Sequence, residues 1–196
     1  CVMERFAADY RAGRTPNPCI VCNPNVKFAK MLECADALGC THIATGHYAR
    51  VEYDEKRGRW LLKKGRNLSK DQSYVLYRLD QRQLSRTLMP LGDMESKDAI
   101  RAIAEDAGLV TARKKDSQDI CFIPDGDYTA FLQRRGVELT PGSFVDEAGR
   151  VLGQHRGLPC YTTGQRKGLG VGGSAYPLYV LRKNAEDNTV VLGPEE

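Results

Sequence analysis

Long apolar runs are missing from this sequence of 196 residues. No stretch approaches the roughly 20 consecutive apolar residues that a bilayer span requires. The first residues, 1–6, also lack the basic and then apolar layout of a secretory signal. We therefore expect no membrane partner and no secretion, and we expect the protein to be cytoplasmic.

A strong excess of one charge is also missing. The 29 Lys and Arg residues and the 25 Asp and Glu residues leave a net charge of +4. This balance excludes a densely cationic, histone-like protein but is compatible with binding to nucleic acid. The hydrophobic fraction of 41% is typical of a folded globular chain.

The cysteines lack the pattern of a disulfide framework, because there are seven of them at irregular spacing. They also lack a second CxxC pair, which disfavours a structural zinc site. We expect Cys34, Cys40 and Cys160 to be small core residues. Only Cys19 and Cys22 form a CxxC, and the prolines at 16 and 18 restrict the backbone ahead of it. Rigid presentation of a reactive thiol and a pair of unreactive thiols are both compatible with this segment.

Apolar periodicity predicts an α/β fold for the first part of the chain. It indicates a helix over 28–38 followed by a strand over 41–45. The same helix-to-strand unit is predicted a second time, with a helix starting after Ser96 and a strand at the apolar run 109–111. Two short runs, 51–53 and 60–62, flank a polar turn and predict a hairpin. A further short helix is predicted over 80–88.

The composition changes after a last predicted helix at 128–135. Gly and Pro become frequent, and the apolar runs shorten to 143–146, 176–181 and 189–192. We predict two domains, an α/β domain over 1–131 and a small β-rich domain over 132–196. The Gly-rich run 164–173 suits either close approach to a phosphate or a flexible turn.

Three further positions carry polar or nucleophilic groups that could do chemistry. Cys121 follows Lys114 and Lys115, and nearby ammonium groups favour a thiolate. Gly46 and His47 follow a predicted strand, where ligands of open α/β sheets collect. The segment 69–74 could contact phosphates and base edges, or it could be a solvated turn that caps a helix.

These segments occur in a definite order: GRTPNP at 13–18, CN at 22–23, VKF at 26–28, ATGHY at 44–48, KDQSY at 70–74, KDS at 115–117, ICFI at 120–123 and GQRKGLG at 164–170. Together they closely resemble the tRNA-specific 2-thiouridylase family, and the match covers nearly the whole chain. The resemblance implies the later part of an adenine-nucleotide α-hydrolase-like (Rossmann-like) domain, followed by a small β-rich central domain. It also implies ATP and Mg²⁺ as cofactors and tRNA with a wobble uridine as substrate.

The resemblance further implies a role for each matching residue. Cys121 would accept a persulfide from a sulfur-relay protein or a cysteine desulfurase, and Cys22 would release sulfide or close a disulfide with it. ATP would contact the backbone of Gly46. The remaining matches would contact the flipped target base (Asn17, Pro18, Cys19) or other parts of the tRNA (His47, Lys70, Asp71, Gln72).

Two departures from the family pattern leave alternatives open. Many members have aspartate at the position of Cys19, so Cys19, Cys22 and Cys121 could instead hold a 4Fe-4S cluster with one open iron. Sulfide held on the cluster would then replace the persulfide as the sulfur source. A separate alternative is a non-catalytic tRNA-binding or iron-sulfur module that uses the same three cysteines. The phosphate loop Ser-Gly-Gly-Val-Asp-Ser and the final β-barrel of the family are also absent from these residues. We therefore expect an internal fragment that does not adenylate uridine alone.

Overall fold

The structure is a computed structural model that describes residues 1–113, 120–173 and 176–194. It divides into two compact units. One unit contains residues 17–117, and the other contains residues 1–16 together with 118–196. Each unit is a set of residues that contact one another more than they contact the rest of the chain. These units do not test the predicted domain boundary at residue 131, which stays a prediction.

The regular elements are mostly short. The helices, in chain order, are α1 (Val2–Arg11), α2 (Pro18–Cys22), a π-helix (Asn23–Lys27), α3 (Phe28–Ala37), α4 (Gln81–Ser85), α5 (Lys97–Asp106) and α6 (Tyr128–Arg134). The strands are β1 (Ile43–Ala44), β2 (Ala49–Asp54), β3 (Arg59–Lys64), β4 (Thr87–Leu88), β5 (Gly142–Val145), β6 (Val151–His155), β7 (Tyr179–Asn184) and β8 (Thr189–Gly193). None of the described helices is long and apolar enough to cross a membrane.

In the unit of residues 17–117, α2, the π-helix and α3 follow one another without a break. Pro24 has no N–H group for a normal helical bond, and the wider turn closes when Phe28 N–H donates to the carbonyl of Asn23. Phe28 and Leu32 then lie on the buried face of α3 and pack in a core with Ile43 and Leu76. The predicted helix over 28–38 is confirmed.

A two-stranded parallel pair, β1 with β4, lies beside this core, with Ile43 opposite Thr87. The predicted strand over 41–45 therefore shrinks to Ile43–Ala44. The predicted hairpin is confirmed, with Val51 of β2 opposite Leu62 of β3. The helix after Ser96 is confirmed as well, because the Ser96 hydroxyl accepts a bond from Ala99 N–H at 3.1 Å.

The other unit contains a four-stranded sheet in the order β6-β5-β8-β7. Within this four-stranded sheet, β5 and β8 are parallel and the other neighbouring strands are antiparallel. Phe144 and Val190 pair across β5 and β8, and both are fully buried. A second cluster packs α1 against α6 through Phe6 and Phe131. The prediction of a helix over 128–135 and of a β-rich segment after it is confirmed.

Several predictions about secondary structure and burial are wrong. The run 109–111 forms turns rather than a strand, and Leu109 and Val110 are exposed. Helix α1 and strand β6 were not predicted, because Phe6, Ala7 and Tyr10 give a short stripe and Gly153 interrupts the pattern of β6. Cys34 and Cys40 are exposed rather than buried, whereas Cys160 is buried as predicted.

Candidate functional site

The CxxC segment forms the short helix α2. The side-chain oxygen of Asn17 accepts a hydrogen bond from Cys19 N–H at 3.1 Å and so caps this helix. Pro18 occupies the first helical position, where its missing N–H has no cost, and is buried. The result is a fixed turn that leaves Cys19 exposed and Cys22 half-buried.

Two buried amide side chains fix the chain immediately after Cys22. Asn23 is 2% exposed, and its Nδ2 donates to the carbonyl oxygen of Val75 at 2.9 Å. Gln83 Nε2 donates to the carbonyl oxygen of Pro24 at 2.7 Å. The second bond satisfies a carbonyl within the π-helix, so the π-helix is anchored to two other parts of its unit.

Gly46 and His47 follow β1, as predicted. Gly46 is exposed, and a Cβ there would meet only the side chain of Leu91 at 3.6 Å. The ring of His47 stacks on Phe28 with centroids 5.7 Å apart, and its Nδ1 pairs with the Thr45 hydroxyl at 2.9 Å. This ring therefore joins the strand end to the first turn of α3.

Burial of the imidazole lowers the pKa of His47 to about 4, and the positive charge of Lys27 acts in the same direction. His47 is consequently neutral at physiological pH. It can orient a neighbour by hydrogen bonding, but it cannot supply a positive charge to a phosphate.

The segment 70–72 is more than a solvated turn. Asp71 accepts hydrogen bonds from Gly65 N–H at 2.8 Å and from the Ser73 hydroxyl at 2.6 Å. Gln72 accepts from Tyr48 N–H at 3.0 Å with its side chain and donates its own N–H to the Tyr48 carbonyl at 2.9 Å. These bonds hold 70–72 beside 46–48, while Lys70 is exposed.

Direct contacts thus bring most of the predicted site together within one unit. Asn23 connects the CxxC helix to the 3-10 helix Ser73–Val75, which directly follows Gln72. His47 and Phe28 connect the end of β1 to the same helical run. The roles predicted for Asn17, Pro18, Cys19, Gly46, His47, Lys70, Asp71 and Gln72 stay predictions.

Cys121 belongs to the other compact unit. It lies in a turn closed by a bond from Ile123 N–H to the carbonyl of Ile120 at 2.8 Å. Both of these residues, and Phe122, pack into the cluster of α1 and α6, whereas Cys121 is exposed. Core packing on both sides therefore presents this thiol to solvent. Lys114 and Lys115, which were predicted to activate it, lie outside the described residues.

The described part of the chain includes all seven cysteines and contains no disulfide. It contains no group of three or more His, Cys, Asp or Glu side chains placed to hold a metal ion. The 4Fe-4S alternative thus has no support from the arrangement of these residues.

Comparison with known families adds to this geometry. Residues 1–125 match the family model of the tRNA methyl transferase HUP domain, and residues 129–194 match that of the tRNA methyl transferase PRC-barrel domain. The chain belongs to this family. Its HUP domain is the adenine-nucleotide α-hydrolase-like part and its PRC-barrel domain the β-rich part, so the predicted fold class is confirmed.

Individual relatives of this HUP and PRC-barrel chain are similar along its whole length. It is 53% identical over 197 residues to a tRNA-specific 2-thiouridylase of Heliobacterium modesticaldum, covering 100% of this chain and 51% of the relative. It is 52% identical over 196 residues to one of Moorella thermoacetica, covering 100% of this chain and 54% of that relative. The chain thus spans about half the length of the curated relatives it matches.

The anchoring residues Asn23 and Gln83 were missed as functional candidates. Asn23 stands in the quoted CN motif, but its partner Val75 is distant in the sequence. No local pattern indicates such a pairing, because it depends on where the chain returns in the fold.

Proposed function

We propose that this chain is the sulfur-inserting part of an ATP-dependent tRNA 2-thiouridylase that acts on a wobble uridine. The observation that supports it best is the presentation of two thiols, Cys22 and Cys121, on segments anchored to buried cores. The similarity to tRNA-specific 2-thiouridylases over 100% of the chain supports the same proposal.

The first step activates the base. The C2 oxygen of the uridine attacks the α-phosphorus of ATP, pyrophosphate leaves, and the resulting adenylate makes C2 electrophilic. The exposed backbone at Gly46 suits close approach of the nucleotide. Mg²⁺ enters as the complex with ATP, because magnesium in such sites is bound largely through substrate phosphates and water.

The second step delivers sulfur. A persulfide donor, either a sulfur-relay protein or a cysteine desulfurase, transfers its outer sulfur to the Cys121 thiolate. The terminal sulfur of the Cys121 persulfide then attacks C2, and AMP leaves. The Cys22 thiolate attacks the Cys121 sulfur, so that the S–S bond to the product breaks and a Cys22–Cys121 disulfide forms. An external thiol reductant restores both thiols for the next turnover.

The other predicted residues bind and orient the substrates. Asn17, Pro18 and Cys19 form the rigid turn against which the flipped base rests. Lys70 supplies positive charge to the tRNA backbone, while Asp71 and Gln72 hold its segment in place. The neutral ring of His47 positions the segment 46–48.

Thiolation of tRNA by the full-length protein tests this proposal. The assay supplies ATP, Mg²⁺, a persulfide donor and an unmodified tRNA, and it measures the modified nucleoside by mass spectrometry. Cys22→Ser and Cys121→Ser should each reduce product formation by at least about a hundredfold, because the nucleophile or its partner is lost. Cys34→Ser is the matched control, since Cys34 is also an exposed thiol in the described residues, and it should retain the parent activity.

Two outcomes would contradict the proposal. Normal thiolation by Cys121→Ser would remove the persulfide step. The family description names methyl transfer, so a product with an added methyl group, in place of an oxygen-to-sulfur exchange, would identify a different reaction.

A further inference from the structure

The Gly-rich run 164–173, which the proposed reaction does not use, forms one side of an open cavity. The cavity has a volume of about 500 Å³. Its lining combines a cation, glycine backbone, an exposed aromatic ring and apolar side chains, namely Arg166, Gly170, Gly172, Leu169, Tyr176 and Leu178. Lys167 is exposed within the same run.

The run is held firmly at its start. Val180 N–H donates to the carbonyl of Gln165 at 2.9 Å, which ties the run to β7. The Gln165 side chain accepts from Thr162 N–H at 3.0 Å and donates to the carbonyl of Lys167 at 2.9 Å. Leu169 is buried in the sheet core. The backbone between these points therefore has a defined shape.

That backbone leaves its hydrogen-bond donors available. Within the described chain, no main-chain N–H group from Arg166 to Gly173 donates a hydrogen bond to another residue. Gly168, Gly170 and Gly173 have φ values of 77°, 69° and 84°, and the residues between them have no positive φ. Alternation of this kind turns successive N–H groups toward one side and forms a concave anion site.

Gly172 provides an independent indication. Its φ is not positive, and no described atom lies within 4 Å of the position that a Cβ would occupy. Neither its backbone conformation nor packing against the described residues requires glycine here. A bare backbone in the lining of a cavity is useful when another molecule must come close.

We propose that this cavity binds an RNA strand, with backbone phosphates on the N–H groups and on Arg166 and Lys167, and with a base against Tyr176. An isolated phosphate would need only the backbone N–H groups and the cationic side chains. The aromatic and apolar side chains in the lining suit the bases of a nucleotide strand. The identification of the strand as tRNA rests on the proposed function.

Equilibrium binding of an unmodified tRNA transcript to the full-length protein tests the site over a series of salt concentrations. Arg166→Gln combined with Lys167→Gln should raise the Kd roughly tenfold and reduce the salt slope by about one to two. Gly172→Ala should raise the Kd about fivefold because the methyl group blocks close approach, and its thermal unfolding should match the parent.

The matched control is Lys56→Gln combined with Arg57→Gln, which removes two adjacent cations from the β2–β3 turn in the other unit. An equal loss of affinity in this control would overturn the proposal, because the effect would then be general charge. A second result would also overturn the proposal. If sodium triphosphate saturates the cavity and Gly172→Ala leaves the Kd for RNA unchanged, the cavity is a site for small anions.

Thiolation assays keep the two proposals separate. At tRNA concentrations below the Kd, Gly172→Ala should thiolate more slowly than the parent, because less tRNA is bound. The control Lys56→Gln combined with Arg57→Gln should thiolate at close to the parent rate. If the parent protein gives no 2-thiouridine while the cavity variants still lose RNA affinity, the proposed reaction fails and the RNA site stands.

Discussion

The side-chain amide of Asn23 donates a hydrogen bond to the carbonyl oxygen of Val75 at 2.9 Å, in an environment where Asn23 is 2% exposed. This contact joins the residue after Cys22 to the 3-10 helix that follows Gln72. The predicted sulfur-transfer thiol and the predicted tRNA-contact segment are therefore coupled through one buried bond.

Asn23→Ala should lower the free energy of unfolding by about 1–3 kcal/mol, since it leaves the buried Val75 carbonyl without a donor. It should also slow thiolation, because the turn that carries Cys22 loses its anchor. Chemical denaturation and the thiolation assay measure both effects. Asn25→Ala is the control, because Asn25 also donates to a backbone carbonyl, at 2.9 Å, but is exposed. Equal destabilisation by the two variants would show that burial of the Asn23 bond is unimportant.

His47 should make stability dependent on pH. Its pKa in the folded protein is about 4, against about 6.5 when unfolded. Its contribution is complete above the unfolded pKa and is lost as the pH falls from about 6.5 toward 4, by up to about 3 kcal/mol. His47→Gln should flatten this part of the profile of unfolding free energy.

Titration of the ring resonances by NMR checks the same prediction directly. The His47 signal should stay in its neutral position down to about pH 5. A midpoint for His47 near 6.5 would show that its burial has no such effect.

Gly92 should not tolerate a side chain. A Cβ at this position would lie 1.9 Å from the carbonyl oxygen of Ala49, so the backbone of β2 would have to move. We expect Gly92→Ala to cost about 3 kcal/mol or more. Gly153→Ala serves as the comparison, because its Cβ would meet Val171 at an ordinary 3.5 Å. Thermal unfolding of both variants measures the difference, and similar melting temperatures would be inconsistent with this packing.

Phe122 should support the presentation of Cys121. Its ring packs against Phe6 and Phe131, with centroids 5.4 and 5.3 Å away. Phe122→Ala should destabilise the protein by about 2 kcal/mol and reduce thiolation, because the turn of Cys121 loses its apolar anchor. Phe122→Leu should restore most of both properties. If Phe122→Ala has full thiolation activity at a temperature where it is folded, the packing of Phe122 is not needed to present Cys121.

Local sequence signals predicted those elements whose stabilising contacts are local. Ser96 caps α5 as its type and position indicated, and the polar turn between 54 and 59 predicted the β2–β3 hairpin. Helix α1 was missed because its apolar stripe is short and because it is stabilised by packing against α6. The exposure of Cys34 and Cys40 was missed because residue type alone does not fix which face of an element is covered.

The sequence by itself determined the family, the order of the motifs and the chemical types in the candidate site, because these are properties of residue identity and spacing. Only the tertiary structure decided that Asn23 anchors the CxxC turn, that His47 is neutral, and that Asp71 and Gln72 brace their segment. Each of these depends on partners distant in the chain or on burial. Such contacts form only when the chain returns on itself, and desolvation then sets the protonation state and the hydrogen bonds that local sequence cannot specify.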